Sequence, residues 1–235
     1  MILRFSLFLL ISVPLLAQTI TFSGTVNDQK TNAYILSESH TRKFNAGKPL
    51  SGSVIYRDKA GKVLGRKTFT FPAGPYCPAF HFKDERDGWE EGISISGGTA
   101  TMFLKKSAKD AMERKAIALT PNTACDDGID LLLRDRRNDI AAGKQVDLRV
   151  IVPNKFDHFS FVARKGAEGN VKGRKTMTIN MVTQSAILRP LMPALYFTYY
   201  MDTGELVNSA GLHIMNDAAK KSYRVKAFWS AEKKS

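Results

Sequence analysis

The chain has 235 residues, of which 43% are hydrophobic and 24% are charged, and its formal net charge is +13. This composition is typical of a folded globular protein and excludes an intrinsically disordered chain. The basic residues are scattered in pairs without a run of five or more. They therefore favour a solvated surface that faces anionic partners, and no nucleic-acid site is predicted.

The first 17 residues predict a secretory signal peptide. Arg4 precedes an apolar run over residues 5–16, and Pro14 lies near the end of that run. The run is shorter than the about 20 residues of a transmembrane helix, and this arrangement is typical of a signal peptide. Cleavage after Ala17 leaves residues 18–235 as a single β-rich domain, periplasmic or secreted, with no transmembrane segment. The alternative interpretation is an N-terminal strand or a short buried helix.

Alternation of apolar and polar residues predicts a mainly β fold. It is clearest in Thr19–Val26, Val146–Val152, Met177–Met181 and Tyr223–Trp229. Since successive strand side chains point to opposite faces, each segment has one face for a core. The turn signals Asp58–Gly61, Asp202–Gly204 and Asn216–Lys220 separate neighbouring strands at short intervals, which favours antiparallel hairpins.

Two cysteines, Cys77 and Cys125, predict one disulfide, because an exported protein folds in an oxidising compartment. Two buried thiols are the alternative. By the loop-entropy model the bond stabilises the fold by roughly 4 kcal/mol. The cysteines do not form a C-x-x-C pair, so a redox enzyme is not favoured.

Residues 84–91 form the densest acidic cluster of the chain, with Asp84, Glu85, Asp87, Glu90 and Glu91. Paired carboxylates can serve a glycosidase or hold calcium. The spacing does not match an EF-hand loop, however, and the favoured interpretation is a surface loop that neutralises basic neighbours. The four histidines, His40, His81, His158 and His213, have no metal-ligand spacing. No metal site is therefore predicted.

Asp202-Thr203-Gly204 matches the short signature of aspartic proteases. That mechanism needs two carboxylates about 3 Å apart that share a proton, and no second copy of the signature occurs. A tight turn is the favoured interpretation. The common nucleophile, phosphate-loop, dinucleotide and metalloprotease motifs are also absent from the sequence. We therefore predict no catalytic residue and no cofactor.

One main helix is predicted over about residues 126–142. The expected buried stripe is Ile129, Leu132, Leu133 and Ile140, and the side chains expected to face away are Asp130, Arg134, Arg137 and Asn138. Thr123 or Asp126 can cap its start, and Gly143 suits its end. The segment Ser107–Arg114 fits a helical turn or a loop between strands equally well.

Aromatic residues cluster in two segments, which are Phe156, Phe159 and Phe161, then Tyr196, Phe197, Tyr199 and Tyr200. Two interpretations stand: an ordinary hydrophobic core, or the lining of a concave apolar pocket in an open curved sheet.

The layout of residues 55–229 resembles that of a known group of proteins. The resemblance depends on the predicted helix and on short segments at 56–62, 78–80, 87–92, 143–146, 211–217 and 222–226. In this layout the chain is similar to uncharacterised periplasmic proteins of Gram-negative bacteria, some related to the half-barrels of lipoprotein carriers. The resemblance implies a curved antiparallel sheet, or half-barrel, with a helix across its concave side. It brings no catalytic residues.

Three functional hypotheses follow. The leading one is a non-enzymatic periplasmic protein that binds an apolar or amphipathic, lipid-like molecule of the cell envelope. The second is a structural or interaction module that contacts anionic envelope polymers or another envelope protein through basic surface residues. The third is a hydrolase that uses the acidic cluster or Asp202. The sequence assigns no ligand-binding residues and no oligomeric state.

Overall fold

The computed structural model of the chain describes residues 17–189 and 192–235. The predicted signal peptide, except for Ala17, lies outside these residues. Among the described helices, none combines the length and the apolar character that a membrane crossing requires.

The described residues form one curved sheet with few helices. Its strands are β1 Gln18–Asp28, β2 Tyr34–Asn45, β3 Lys48–Arg57, β4 Val63–Thr70, β5 Ala79–Asp84, β6 Glu90–Ser96, β7 Thr99–Lys105, β8 Glu113–Ala118, β9 Thr123–Ala124, β10 Val146–Val152, β11 Asp157–Val171, β12 Arg174–Thr183, β13 Leu195–Tyr200, β14 Leu206–Asn216, β15 Ser222–Trp229 and β16 Lys233–Lys234. Two α-helices, α1 Asp127–Asp135 and α2 Arg137–Ala141, and a 3₁₀ helix, Pro153–Lys155, lie between β9 and β11.

The strand order is β8-β7-β6-β5-β4-β3-β2-β1-β15-β14-β13-β12-β11-β10-β9, and β16 pairs with β1. Neighbours are antiparallel except β9, which runs parallel to β10. The sheet is open, with β8 and β9 at its two edges. The predicted curved, mainly antiparallel sheet is therefore confirmed, with one short parallel pair that the sequence did not indicate.

The alternating segments are strands with the predicted inward faces. Phe22 and Val26 are buried on β1, and Leu148 and Ile179 are buried on β10 and β12. The three turn signals connect neighbouring strands as predicted. Residues 106–112 form a loop between β7 and β8. Of the two alternatives for Ser107–Arg114, a helical turn or a loop between strands, the structure therefore has the loop. The strand predicted to be last, β15, is followed by the short β16.

The predicted helix exists, but it is broken into α1 and α2. At Arg136 the backbone leaves helical geometry, with φ −90° and ψ 2°. These angles fall in the sparsely allowed region between helix and strand, where a helix ends or tightens into a turn. Gly143 takes a φ of +88° just beyond α2, as expected for a helix end.

The helix lies inside the curve of the sheet. Leu132, Leu133 and Ile140 pack with the inner face of β10–β13, as predicted. Asp130 was predicted to face away from the core, and that is wrong, because its carboxylate is buried against Arg42 of β2. The reason is that a helix enclosed by a curved sheet meets protein on more than one side.

A disulfide joins Cys77 and Cys125, whose Cα atoms lie 4.6 Å apart. The predicted bond is therefore confirmed. Cys125 lies two residues before the start of α1, and its N–H donates a hydrogen bond to the Tyr76 carbonyl. At Gly128, in the first turn of α1, a Cβ atom would lie 2.0 Å from the same carbonyl oxygen. The loop before β5 and the start of α1 are thus held in close contact.

Candidate functional site

A cavity of about 520 Å³ opens between β5–β6, β10–β11 and β14–β15. The 3₁₀ helix and the connection from β12 to β13 contribute further residues to its wall. Strands β5–β6 and β10–β11 lie near opposite edges of the sheet, so the curvature of the sheet brings them together. The volume falls within the about 300–1,000 Å³ that is usual for small-molecule pockets.

Most of the cavity wall is apolar. Phe159 and Phe161 of β11 contribute aromatic rings, and Val150 lies opposite Phe159 in the antiparallel pair. This follows from the sequence alternation, since paired residues of neighbouring strands point to the same face. Met192 is half-buried in the wall, and Leu212 lines the cavity although its side chain is 48% exposed. An apolar surface therefore continues from the interior of the cavity to solvent.

The aromatic segments divide between core and cavity. Phe159 and Phe161 line the cavity, whereas Phe156 packs against the core of β1–β7. In the second segment Tyr199 is fully buried, and Tyr196 is exposed. Both interpretations of the aromatic residues thus hold, each for different side chains.

Besides Asp126 Oδ2, which lies 2.8 Å from Lys67 Nζ, two polar groups of the cavity have oxygen atoms without hydrogen-bond partners among the described residues. They are Oε2 of Glu91 on β6 and Oδ1 of Asn154 in the 3₁₀ helix. Glu91 is 3% exposed. Burial raises the pKa of its carboxyl to about 8, and the nearby Trp89 indole and Asn154 amide offset this only in part. Near neutral pH this carboxyl is therefore largely protonated.

The other acids of the 84–91 cluster have basic partners. Asp84 pairs with Arg86 at 2.6 Å and Glu85 with Arg66 at 2.8 Å. The remaining two pairs are Asp87 with Lys220 and Glu90 with His81. The predicted role of the cluster in neutralising basic neighbours is thus confirmed for these four acids. Asp84 and Glu91 are 2% and 3% exposed and belong to strands, so the prediction of a surface loop is wrong for these two acids. Glu91 differs from Asp84 because it is buried without a basic partner among the described residues.

A buried ionic network holds the start of α1. Lys67 of β4 places its Nζ atom 2.8 Å from Asp126 and 2.6 Å from Asp127. Arg42 of β2 bonds Asp127 at 2.9 Å and Asp130 at 2.7 Å. Asp126 occupies the predicted capping position, but its side chain makes no cap hydrogen bond. Its carboxylate faces Lys67 instead.

The network shifts the acidities of its members in different directions. Burial by itself would raise the pKa of Asp127, but Lys67 and Arg42 hold it well below its usual range. Burial and the neighbouring Asp127 charge raise the pKa of Asp126 despite Lys67. Asp126 also lines the 520 Å³ cavity, so the network and the cavity adjoin at this residue.

The network extends along α1 to other strands. Arg134 bonds Asp130 at 2.9 Å and Glu232 at 2.7 Å. The Tyr199 hydroxyl donates to Asp130 at 3.0 Å, and burial raises the pKa of that hydroxyl well above its usual value. Arg134 was predicted to face away from the core, whereas it is half-buried in this network.

Two of the four histidines meet at one buried glutamate. Glu38 of β2 accepts hydrogen bonds from His40 at 2.5 Å and from His213 at 2.6 Å. Burial would raise the pKa of Glu38, but these bonds hold it well below its usual range. His81 and His158 lie apart from this group, next to Glu90 and Asp157. Among residues 17–189 and 192–235, no group of three or more potential ligands is arranged to hold a metal ion.

Sequence reasoning missed this polar interior. On β2 the inward positions are Leu36, Glu38, His40 and Arg42, and the outward positions between them, Ser37, Ser39 and Thr41, are polar too. In the sequence, the polar interior is indicated by a β-strand pattern in which both faces are mainly polar, because a strand in the middle of a sheet must bury one of its faces. Lys67 is a second indication, since it lies between the inward residues Gly65 and Phe69.

Asp202 lies in the turn between β13 and β14. Its carboxylate accepts hydrogen bonds from Arg174 and from the Thr203 N–H, and Gly204 has a φ of +71°. These features are those of a tight turn, as predicted.

No family model matches the chain, and no curated protein matches it. The fold is similar to a solved structure described as a β-barrel-like protein of domain of unknown function DUF1849 from Brucella abortus. That match has a TM-score of 0.51 and 12% identity, and it covers 94% of this chain and 99% of that one. A DUF1329 family protein from Desulfovibrio piger, also 12% identical, covers 92% of this chain and 85% of that one, with a TM-score of 0.28 that is too low to compare the folds. The first likeness supports the barrel-like fold and assigns no ligand.

Proposed function

We propose that this chain is a non-enzymatic periplasmic protein that binds an apolar or amphipathic, lipid-like molecule in the 520 Å³ cavity. The observation that carries the proposal is the mainly apolar wall, with Phe159 and Phe161 inside and Leu212 partly exposed at the mouth. A ligand chain there would bury apolar surface that solvent otherwise contacts.

The location belongs to the same proposal. The Cys77–Cys125 bond is compatible with an oxidising compartment, and the first 17 residues have the pattern of a signal peptide. The lipoprotein-carrier resemblance adds a class of ligand, because a half-barrel that carries acyl chains needs an apolar interior.

The first experiment is native mass spectrometry of the mature protein, recovered from the periplasm without detergent. We expect an additional mass that is lost on denaturation. Delipidated protein is then titrated with single-chain alkyl compounds of increasing length. Each methylene buried contributes about 0.8 kcal/mol, so each should tighten the dissociation constant about fourfold.

Two exposed leucines provide a matched pair of variants. Leu212 lines the cavity and Leu50 of β3 does not, and their side chains are 48% and 55% exposed. Leu212→Lys should weaken binding roughly fivefold because it removes about half of a leucine's burial energy, whereas Leu50→Lys should not. A bare apo mass, together with affinities that do not depend on chain length, would contradict the proposal and favour an interaction module instead.

A further inference from the structure

The proposed cavity has one deeply buried acid that has no basic partner among the described residues. Glu91 is 3% exposed and lines the cavity, and its Oε2 atom has no partner at hydrogen-bond distance among the described residues. The Trp89 indole and the Asn154 amide lie near the carboxyl group but do not bond this atom. No basic side chain of the described chain lies within ion-pair distance of it, in contrast to the other four acids of the 84–91 cluster.

The other buried or half-buried polar side chains of the cavity wall have partners, with one exception. His213 bonds Glu38, Ser222 bonds Asn216, and Asp126 faces Lys67. The exception is Asn154, whose Oδ1 atom is also buried without a partner among the described residues. The cavity thus has two unused acceptor oxygens within a mainly apolar wall.

We propose, on the basis of the proposed function, that Glu91, assisted by Asn154, binds the polar end of an amphipathic ligand, and that this end carries hydrogen-bond donors, as an amine or a hydroxyl does. A buried acceptor without a partner is unfavourable, and a donor from the ligand removes that penalty. A ligand carboxylate or phosphate would instead bring further acceptors, with negative charge, close to Glu91 and Asp126. Lys155, the one lysine or arginine among the described residues that line the cavity, is exposed at its surface.

The protonation of Glu91 separates the two kinds of donor. Its pKa of about 8 leaves the carboxyl largely protonated at pH 7. An ammonium group stabilises the carboxylate and therefore releases a proton on binding, whereas a hydroxyl can bond the protonated acid without releasing one. Of the nearby charges, Asp126 favours the protonated acid and Lys155 opposes it.

The test uses the delipidated mature chain and three compounds with the same decyl chain: decylamine, monodecanoylglycerol and decanoate. Calorimetry at pH 7 in two buffers of different ionisation enthalpy gives the affinity and the protons released. We expect the amine or the glyceride, or both, to bind at least about tenfold more tightly than decanoate. Proton release is expected with the amine alone.

Glu91→Gln keeps the size of the side chain and its ability to bond a hydroxyl, but it cannot become charged. We expect this variant to lose the proton release and about tenfold in amine affinity, while the glyceride affinity changes little. Glu91→Leu should weaken both compounds. Glu90→Gln is the matched control, since Glu90 is the adjacent acid, pairs with His81 and does not line the cavity. This variant should bind all three compounds as the unaltered protein does.

The failure of this inference differs from the failure of the proposed function. If decanoate binds as well as the other two compounds, and the Glu91 variants bind as the unaltered protein does, the cavity binds apolar chains and Glu91 has no role in recognition. If none of the decyl compounds binds, the proposed function fails, and the role of Glu91 fails with it.

Discussion

Lys67 is the side chain whose removal tests the buried network most directly. Its side chain is 6% exposed and bonds both Asp126 and Asp127. Replacement with Met keeps the length and apolar character of the chain but removes the charge. Asp127 then retains Arg42, whereas Asp126 loses the cation that it faces.

Removal of one partner from a buried ion pair costs about 3–5 kcal/mol, because the other charge stays buried without compensation. For a chain of this size each kcal/mol lowers the melting temperature by about 2–4 °C. We therefore expect Lys67→Met to lower the midpoint by roughly 6–20 °C. Asp126 can reduce this loss of stability by taking up a proton. At acidic pH we therefore expect a decrease in the melting midpoint near the lower end of that range.

The assay is urea denaturation at pH 7 with the disulfide intact, followed by tryptophan fluorescence, together with a thermal scan. Lys62→Met is the control, because Lys62 lies exposed in the turn between β3 and β4, and surface substitutions usually change stability by less than about 0.5 kcal/mol. The double variant Lys67→Met/Asp126→Asn should regain part of the loss, since it removes the unpaired charge. If Lys67→Met and Lys62→Met are equally stable, or if Asp126→Asn gives no recovery, the account of the network is wrong.

Two further predictions concern the covalent bond and the buried acid. Reduction of Cys77–Cys125, which closes a loop with a sequence separation of 48, should lower the free energy of unfolding by roughly 4 kcal/mol; an unchanged denaturation midpoint after verified reduction would contradict this. The raised pKa of Glu91 means that the folded state holds a proton that the unfolded state has released above a pH of about 4.5. Stability should therefore fall as the pH rises from about 4.5 to about 8, by at most about 5 kcal/mol, and then level off. Glu91→Gln should lack this component, and parallel pH profiles for the two proteins would show that Glu91 does not titrate as described.

Much of the sheet could be predicted from the sequence because many strands have one apolar face. In β1, β10, β12 and β15 every second residue is apolar, and this period is a local property that needs no knowledge of the partner strands. The turns at Asp58–Gly61 and Asp202–Gly204 were also predictable, since their residue types favour the backbone angles of a tight turn. Cys77 and Cys125 left one possible pairing within the chain.

The polar interior could not be predicted in the same way, because it depends on contacts between distant residues. Arg42 and Asp130 are 88 positions apart in the sequence, and nothing local to either residue indicates the other. An amphipathic helix pattern predicts one buried face and places Asp130 in solvent, whereas α1 contacts protein on more than one side. The cavity likewise depends on how strongly the sheet curves, which decides that Phe159 lines an opening while Tyr199 is buried.

The ionic network has a cost that an apolar core would avoid, since well-packed apolar residues are often as stabilising as a buried ion pair, or more so. What the network supplies is position. Lys67 and Arg42 hold the first turn of α1 from one side of the sheet, Arg134 links α1 to Glu232, and the disulfide fixes the chain two residues before α1. Asp126 belongs to this network and also lines the cavity. Asp126 is a polar side chain held at that border by Lys67, and burying it further under apolar walls would be unfavourable, which disfavours closure of the cavity at this point. In this interpretation the stability lost to buried charge and the space kept for a ligand are two consequences of the same arrangement.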